Sequence, residues 1–98
     1  MIWNSSLIFT LLCLGDVDLP RAGYGSSCKQ QQYETVTDIS ECKRAAARIG
    51  KPVTKHIDKD WPKGCYIIRD GVDESVSFND HHAGRKNSNA DPICLDRK

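Results

Sequence analysis

Apolar residues recur at helical spacing in one segment of the chain, residues 38–50. Asp38 is a favourable N-cap for a helix, and Gly50 followed by Pro52 is a favourable end. One side of this helix carries the apolar residues Ile39, Cys42, Ala46 and Ile49. The pattern therefore predicts one amphipathic helix, with Cys42 turned toward the core.

Alternating apolar and polar residues on either side of the helix predict extended strands. The predicted strands cover residues 33–36, 53–57, 65–69 and 75–78, with a short apolar segment at 93–95. Residues 79–92, which lie between the strand at 75–78 and the apolar segment, are rich in Asn, Asp and Gly, and this composition predicts no helix or long strand.

The strands at 65–69 and 75–78 predict a β-hairpin, whose register depends on the length of its loop. A five-residue loop would place Ile68 opposite Val76 and would put another apolar pair across the two strands. A two-residue loop at Asp70-Gly71 would place Ile68 opposite an aspartate. We therefore expect the longer loop, residues 70–74.

The N-terminal apolar run has the length of the hydrophobic region of a signal peptide. Residues 7–15 are too short to span a bilayer, which needs about 20 apolar residues. Cys13 and Gly15 occupy small-residue positions before a cleavage site, although a buried N-terminal strand is an open alternative. We predict a signal peptide at 1–15, a flexible leader at 16–27 and one domain at 28–98.

Removal of residues 1–15 leaves four of the five cysteines in the mature chain. An even number of cysteines in a short secreted chain predicts a disulfide framework, and four cysteines allow three pairings. We predict Cys42–Cys65, because Cys42 faces inward and Cys65 begins the strand expected to pack beneath it. The pair Cys28–Cys94 would then join the two ends of the domain.

These elements predict an α+β fold: a small disulfide-stabilised domain with one helix packed on a β-hairpin, short extra strands and long loops. Its expected core is thin and comprises Ile39, Ile49, Tyr66, Ile68, Val76 and Phe78, with Trp61 covering one edge. In the chain-entropy treatment, the 42–65 bridge contributes about 3.4 kcal/mol and the 28–94 bridge about 4.4 kcal/mol. We therefore expect the disulfides to be required for folding.

Charge narrows the classes of partner. The chain has 14 Lys and Arg against 13 Asp and Glu, a formal net charge of +1, and the two signs are interleaved. A nucleic-acid surface would need basic residues gathered together, and no second apolar segment predicts a membrane span. The expected partner is an extracellular protein, a glycan or a matrix, with no nucleic acid and no membrane.

Few residues of the chain are candidates for metal binding or catalysis. His81 and His82 could contact a metal, but no further His or Cys is spaced to complete a tetrahedral site. The acidic cluster Asp70, Asp73 and Glu74 could hold calcium weakly, but a plain solubilising turn is the favoured interpretation. We predict no catalytic residues, no cofactor and no metal site.

A set of four cysteine motifs resembles a small secreted module found in predicted extracellular proteins of algae, protists and aquatic invertebrates. The resemblance covers residues 24–95 and rests on Glu-Cys-x-x-Ala-Ala at 41–46, Pro-x-Gly-Cys-Tyr at 62–66, Phe-Asn at 78–79 and Ile-Cys at 93–94. It implies a helix packed on a hairpin in an extracellular setting, and it carries no activity.

Trp61 and Tyr66 flank a tight Pro-Gly turn and are the candidate surface-binding residues, since Trp and Tyr often dominate binding energy. The alternative is that Trp61 simply covers the core. The sequence thus predicts a secreted, non-enzymatic binding or structural module, such as a component of an extracellular or mineralised matrix. The alternative function is a released effector, such as a toxin or a defence polypeptide.

Overall fold

A computed structural model describes residues 19–96 of the chain, so the predicted signal peptide at 1–15 lies outside the described residues. The elements are, in order, a 3-10 helix Lys29–Gln31, β1 Glu34–Thr35, α1 Ile39–Arg48, β2 Val53–His56, β3 Pro62–Asp70, β4 Asp73–Gly84, β5 Ala90–Pro92 and β6 Cys94–Leu95. The fold is α+β, with one helix, a β-hairpin and extra strands, as the sequence predicts.

The main sheet has four strands in the order β2-β4-β3-β5. Strand β2 runs parallel to β4, whereas β3 runs antiparallel to both β4 and β5. A second, two-stranded sheet pairs β1 with β6. No helix in the part of the chain from 19 to 96 is long and apolar enough to cross a membrane.

The register predicted for the hairpin is wrong, because the loop has two residues, Gly71 and Val72, rather than five. Gly71 has a φ of +64° and Val72 lies outside the left-handed region, which is the pattern of a II′ turn that matches the strand twist. The true register places Ile67 opposite Val76, so Cys65 and Ile67 of β3, rather than Tyr66 and Ile68, share the helix-facing side of the sheet with Val76 and Phe78.

The core lies between α1 and one face of the main sheet. Cys42 and Ala46 of the helix are fully buried there. The sheet and the flanking segments contribute Val36, Cys65, Ile67, Val76, Phe78, Ile93 and Leu95. Three expected core residues lie elsewhere. Ile49 is 43% exposed at the end of the helix, whereas Tyr66, which is buried, and Ile68, which is half-buried, lie on the other face of the sheet.

Both predicted disulfides are present. Cys42–Cys65 joins the helix to β3 with the Cα atoms 5.4 Å apart. Cys28–Cys94 joins the segment before β1 to β6, with a Cα separation of 5.6 Å. All four cysteines are buried. One bridge therefore links the helix to the sheet inside the core, and the other links the start of the domain to its end.

The segment predicted as a flexible leader, 16–27, is attached to the domain throughout its described part. Ala22 and Gly25 donate backbone hydrogen bonds to Pro92 and Ala90 of β5, at 2.9 and 3.1 Å. The buried carboxylate of Asp91 also accepts from the Gly23 amide at 2.7 Å. These bonds pair the outer edge of β5, which would otherwise present unpaired backbone groups.

The polar tail also differs from expectation. Strand β4 continues to Gly84 and β5 covers Ala90–Pro92, so the predicted loop at 79–92 contains two extended pieces, of which Asn79, Gly84 and the three residues of β5 pair with β3. The extension depends on backbone pairing rather than on apolar side chains, which is why the residue pattern does not predict it.

Candidate functional site

Trp61 and Tyr66 form an aromatic stack on the face of the sheet opposite to the helix. Their ring centroids lie 5.7 Å apart and the rings are nearly parallel, at 11°. Tyr66 is fully buried, whereas Trp61 is half-buried and covers it. The expectation that Tyr66 is a surface-binding residue is therefore wrong, and of these two residues only Trp61 is partly exposed.

The Tyr66 hydroxyl fixes the inner ring of the stack, because it hydrogen-bonds to Nε2 of His56 on β2. Burial raises the pKa of Tyr66 well above its usual value, and the negative charge of Asp58 adds to the effect. A hydrogen bond with Ser77 opposes this rise in pKa without cancelling it. The phenol thus stays protonated at ordinary pH.

Asn79 fixes the turn that carries Trp61. This fully buried side chain donates from Nδ2 to the carbonyl oxygens of Asp58 and Trp61, at 2.6 and 2.9 Å. Its Oδ1 accepts from the amides of Asp58 and His81, at 2.9 and 3.1 Å. Both the amide group and the carbonyl oxygen of the Asn79 side chain are thereby hydrogen-bonded to the backbone of two loops. The residue pattern does not predict this role of Asn79.

Charged and polar groups surround the turn of Trp61. Asp60 accepts from Arg85 at 2.6 Å and from Lys59 at 3.3 Å, and the carbonyl oxygen of Asp60 accepts from Asn87 at 3.2 Å. The hydrogen bond from Arg85, followed by that from Lys59, lowers the pKa of Asp60. Trp61 therefore lies beside a polar rim, which is the usual setting of an aromatic anchor at a binding surface.

The two histidines singled out in the sequence lie next to each other, and their rings stack with centroids 4.5 Å apart. Nδ1 of His81 accepts hydrogen bonds from the amides of Ala83 and Gly84, at 3.1 and 3.0 Å, so that nitrogen is engaged in the turn. Within residues 19–96, no three His, Cys, Asp or Glu side chains are gathered closely enough to hold a metal ion.

Asp73 and Glu74 of the acidic hairpin cluster have different surroundings. Glu74 accepts a hydrogen bond from the Tyr24 hydroxyl at 3.2 Å and lies 3.9 Å from the guanidinium of Arg21. Burial, together with the charge of Glu74, raises the pKa of Tyr24. Glu74 therefore connects the hairpin to the N-terminal segment, whereas Asp73 is exposed at the start of β4.

Comparison of the chain with protein-family models, curated proteins and solved structures finds no match. The resemblance to the secreted four-cysteine module therefore stays a prediction, and the assignment of function depends on the geometry of the chain itself.

Proposed function

We propose that the protein is an extracellular, non-enzymatic binding module that attaches to an extracellular matrix through Trp61. The observation that carries the proposal is the set of contacts that hold Trp61: its ring stacks on buried Tyr66, and its backbone carbonyl accepts hydrogen bonds from Asn79 and from the Arg85 amide at 3.0 Å. A ring ordered before binding loses little conformational entropy when a partner covers it.

The two disulfides support the extracellular part of the proposal. Disulfides persist in oxidising compartments and are common in small secreted domains with limited cores. Both bridges are buried and join distant segments, with sequence separations of 66 and 23 residues. This is the role of structural disulfides rather than of reactive ones.

Replacement of Trp61 tests the proposal, because a binding role and a covering role give different results. The full chain is expressed through the secretory pathway, and its oxidised form is incubated with extracellular matrix from the producing tissue. Trp61→Ala should reduce retention on the matrix by at least about tenfold, the size of effect expected for an aromatic anchor. Trp61→Phe keeps a smaller ring on Tyr66 and should retain intermediate binding.

Val72→Ala is the matched control, because Val72 is 99% exposed at the hairpin turn and lies far from the stack. Thermal unfolding of each variant shows whether the fold survives. Undiminished retention of folded Trp61→Ala would contradict the surface role of Trp61. Failure of the wild-type chain to bind matrix at all would favour the alternative, a released effector.

A further inference from the structure

All the glutamines of the chain are consecutive: Gln30, Gln31 and Gln32. They lie in the 3-10 helix Lys29–Gln31 and at its C-cap, between a disulfide cysteine and strand β1. The three side chains are exposed, and the short helix contains no buried residue. Packing in the core therefore does not account for glutamine at these positions.

This glutamine turn, residues 30–32, is attached to the domain on both sides. Cys28, which precedes it, is buried and bonded to Cys94. Tyr33, which follows it, packs on the small apolar cluster around that disulfide, and its amide donates to the Cys28 carbonyl at 2.9 Å. The folded domain thus holds the exposed glutamines in place.

The backbone of Gln32 is left-handed. Within residues 19–96 it is the only residue other than glycine with a positive φ, at +64°. Glycine adopts this conformation freely, and Asn and Asp tolerate it better than longer side chains do. Local strain of this kind clusters at functional sites. The geometry of the turn therefore disfavours the side chain that Gln32 carries.

The three carboxamides differ in their hydrogen bonds. Oε1 of Gln30 accepts from the Ser27 amide at 3.0 Å, and the Gln30 amide donates to Oγ of Ser27 at 3.2 Å. This reciprocal pair caps the turn. Within the described chain, the side chains of Gln31 and Gln32 make no hydrogen bond. Two of the three carboxamides are therefore exposed and unpaired.

An exposed glutamine carboxamide is the acyl donor of transglutaminases, enzymes that use a cysteine nucleophile. The thiol of the enzyme adds to the side-chain carbonyl carbon, the bond from that carbon to nitrogen breaks, and ammonia leaves with the thiol proton. A lysine amine then attacks the thioester, a new carbon–nitrogen bond forms, and a proton returns to the thiolate. The net reaction exchanges ammonia for lysine, and nothing is oxidised or reduced.

We propose that Gln31 and Gln32 are acyl-donor sites through which an extracellular transglutaminase joins this protein to lysine side chains of a matrix protein. Gln30 caps the turn and is not a donor. The inference shares the extracellular setting of the proposed function and goes beyond it, because it assigns covalent attachment to residues other than Trp61.

Incubation of the oxidised, secreted chain with a purified calcium-dependent transglutaminase and dansylcadaverine, a fluorescent primary amine, tests the proposal. Peptide mass mapping should place the label on Gln31, Gln32 or both, with loss of one ammonia per label. Gln31→Asn/Gln32→Asn should be labelled at least about tenfold more slowly, because Asn is one methylene shorter and a displacement of about 1 Å at a reacting atom costs about 100-fold. Gln30→Asn is the matched control and should be labelled at the wild-type rate.

The variants should fold, because all three positions are exposed and Asn adopts the left-handed backbone of Gln32 more readily than Gln does. Thermal unfolding of each variant checks this, so slow labelling of a folded variant reports on the carboxamides themselves.

Absence of labelling in the oxidised chain would overturn the proposal. Labelling only after reduction of the disulfides would do the same, as would a label on Gln30 or equally slow labelling of Gln30→Asn. Trp61→Ala should be labelled at the wild-type rate, and Gln31→Asn/Gln32→Asn should keep wild-type non-covalent retention on matrix. Failure of the acyl-donor sites and failure of the Trp61 surface are therefore distinguishable.

Discussion

Gly64 is one of the described residues at which the fold leaves no room for a side chain. Its φ is +88°, and a Cβ there would overlap the Val36 carbonyl oxygen and the Thr35 methyl carbon. Gly71 also has a positive φ, of +64°, but nothing lies within 4 Å of its would-be Cβ. The two positions therefore separate steric overlap from the cost of a left-handed backbone.

Gly64→Ala should lower the free energy of unfolding by more than about 3 kcal/mol, because strain and overlap add. Gly71→Ala should cost about 1 to 2 kcal/mol, the backbone contribution alone. Urea unfolding of the oxidised variants measures both. Equal costs at the two positions would show that β3 does not pass as closely to Val36 as the structure has it.

Tyr66 makes the stability of the protein sensitive to alkaline pH. Burial raises its folded-state pKa above the unfolded value of 10.0. The stabilisation is therefore complete below about pH 10 and is lost as the pH rises further, by at most about 1.4 kcal/mol per pH unit.

Tyr66→Phe should remove the contribution of Tyr66 to the fall of the free energy of unfolding above pH 10. It should also lower that free energy by about 1 to 2 kcal/mol at neutral pH, because the hydrogen bond to His56 is lost. Denaturant unfolding from about pH 8 to 11 tests the prediction. An identical slope in Tyr66→Phe would contradict the burial of the phenol.

Asn79 shows why parts of the site escape the sequence. Asn in a polar stretch is typical of a loop, and only the folded chain shows that its amide is buried between two turns. The prediction for Tyr66 is wrong in the opposite sense, because the residue was expected at the surface and is buried. An aromatic residue beside a Pro-Gly turn is compatible with either position. Burial depends on the face of the sheet, which local sequence does not fix.

The helix was the most predictable element. Its period, its N-cap and its glycine end agree with each other, and the structure places α1 at Ile39–Arg48 with Asp38 accepting from the Ser40 amide at 2.8 Å. Asp38→Ala should lower the free energy of unfolding by about 1 kcal/mol. Thr37→Ala, the exposed neighbour, is the control, and equal small effects of both in urea unfolding would contradict the cap.

The hairpin was mispredicted although the information for its register was present. If Cys42–Cys65 forms, Cys65 must face the helix, and Ile67 two residues later must do so as well. The apolar residues Val76 and Phe78 then pair with Ile67 and Cys65, which is the observed register. Cross-strand apolar pairing alone left a one-residue ambiguity, and the disulfide resolves it.

At the scale of the whole molecule, two bridges supplement a small core. The N-terminal segment, β5 and β6 contact one another around Cys28–Cys94, whereas α1 and the hairpin meet at Cys42–Cys65. The sequence predicts this framework because the mature chain has an even number of cysteines and because Cys42 lies on the apolar side of the helix. It did not find the edge pairing of residues 19–25, which depends on backbone hydrogen bonds that any residue can make.

Removal of either bridge should be costly. The double variant Cys42→Ala/Cys65→Ala should lose about 3.4 kcal/mol, and Cys28→Ala/Cys94→Ala about 4.4 kcal/mol, against a typical total of about 5 to 15 kcal/mol. Thermal unfolding measures both. Wild-type melting temperatures in either variant would show that the core suffices without that bridge.

Intact mass and N-terminal sequencing of the protein recovered outside the producing cell test the central claim, an oxidised extracellular domain, most directly. The account predicts a chain that begins at Asp16, give or take a few residues, and that carries the mass deficit of two disulfides. A chain that begins at Met1, or one that is found only inside the cell with reduced cysteines, would contradict it.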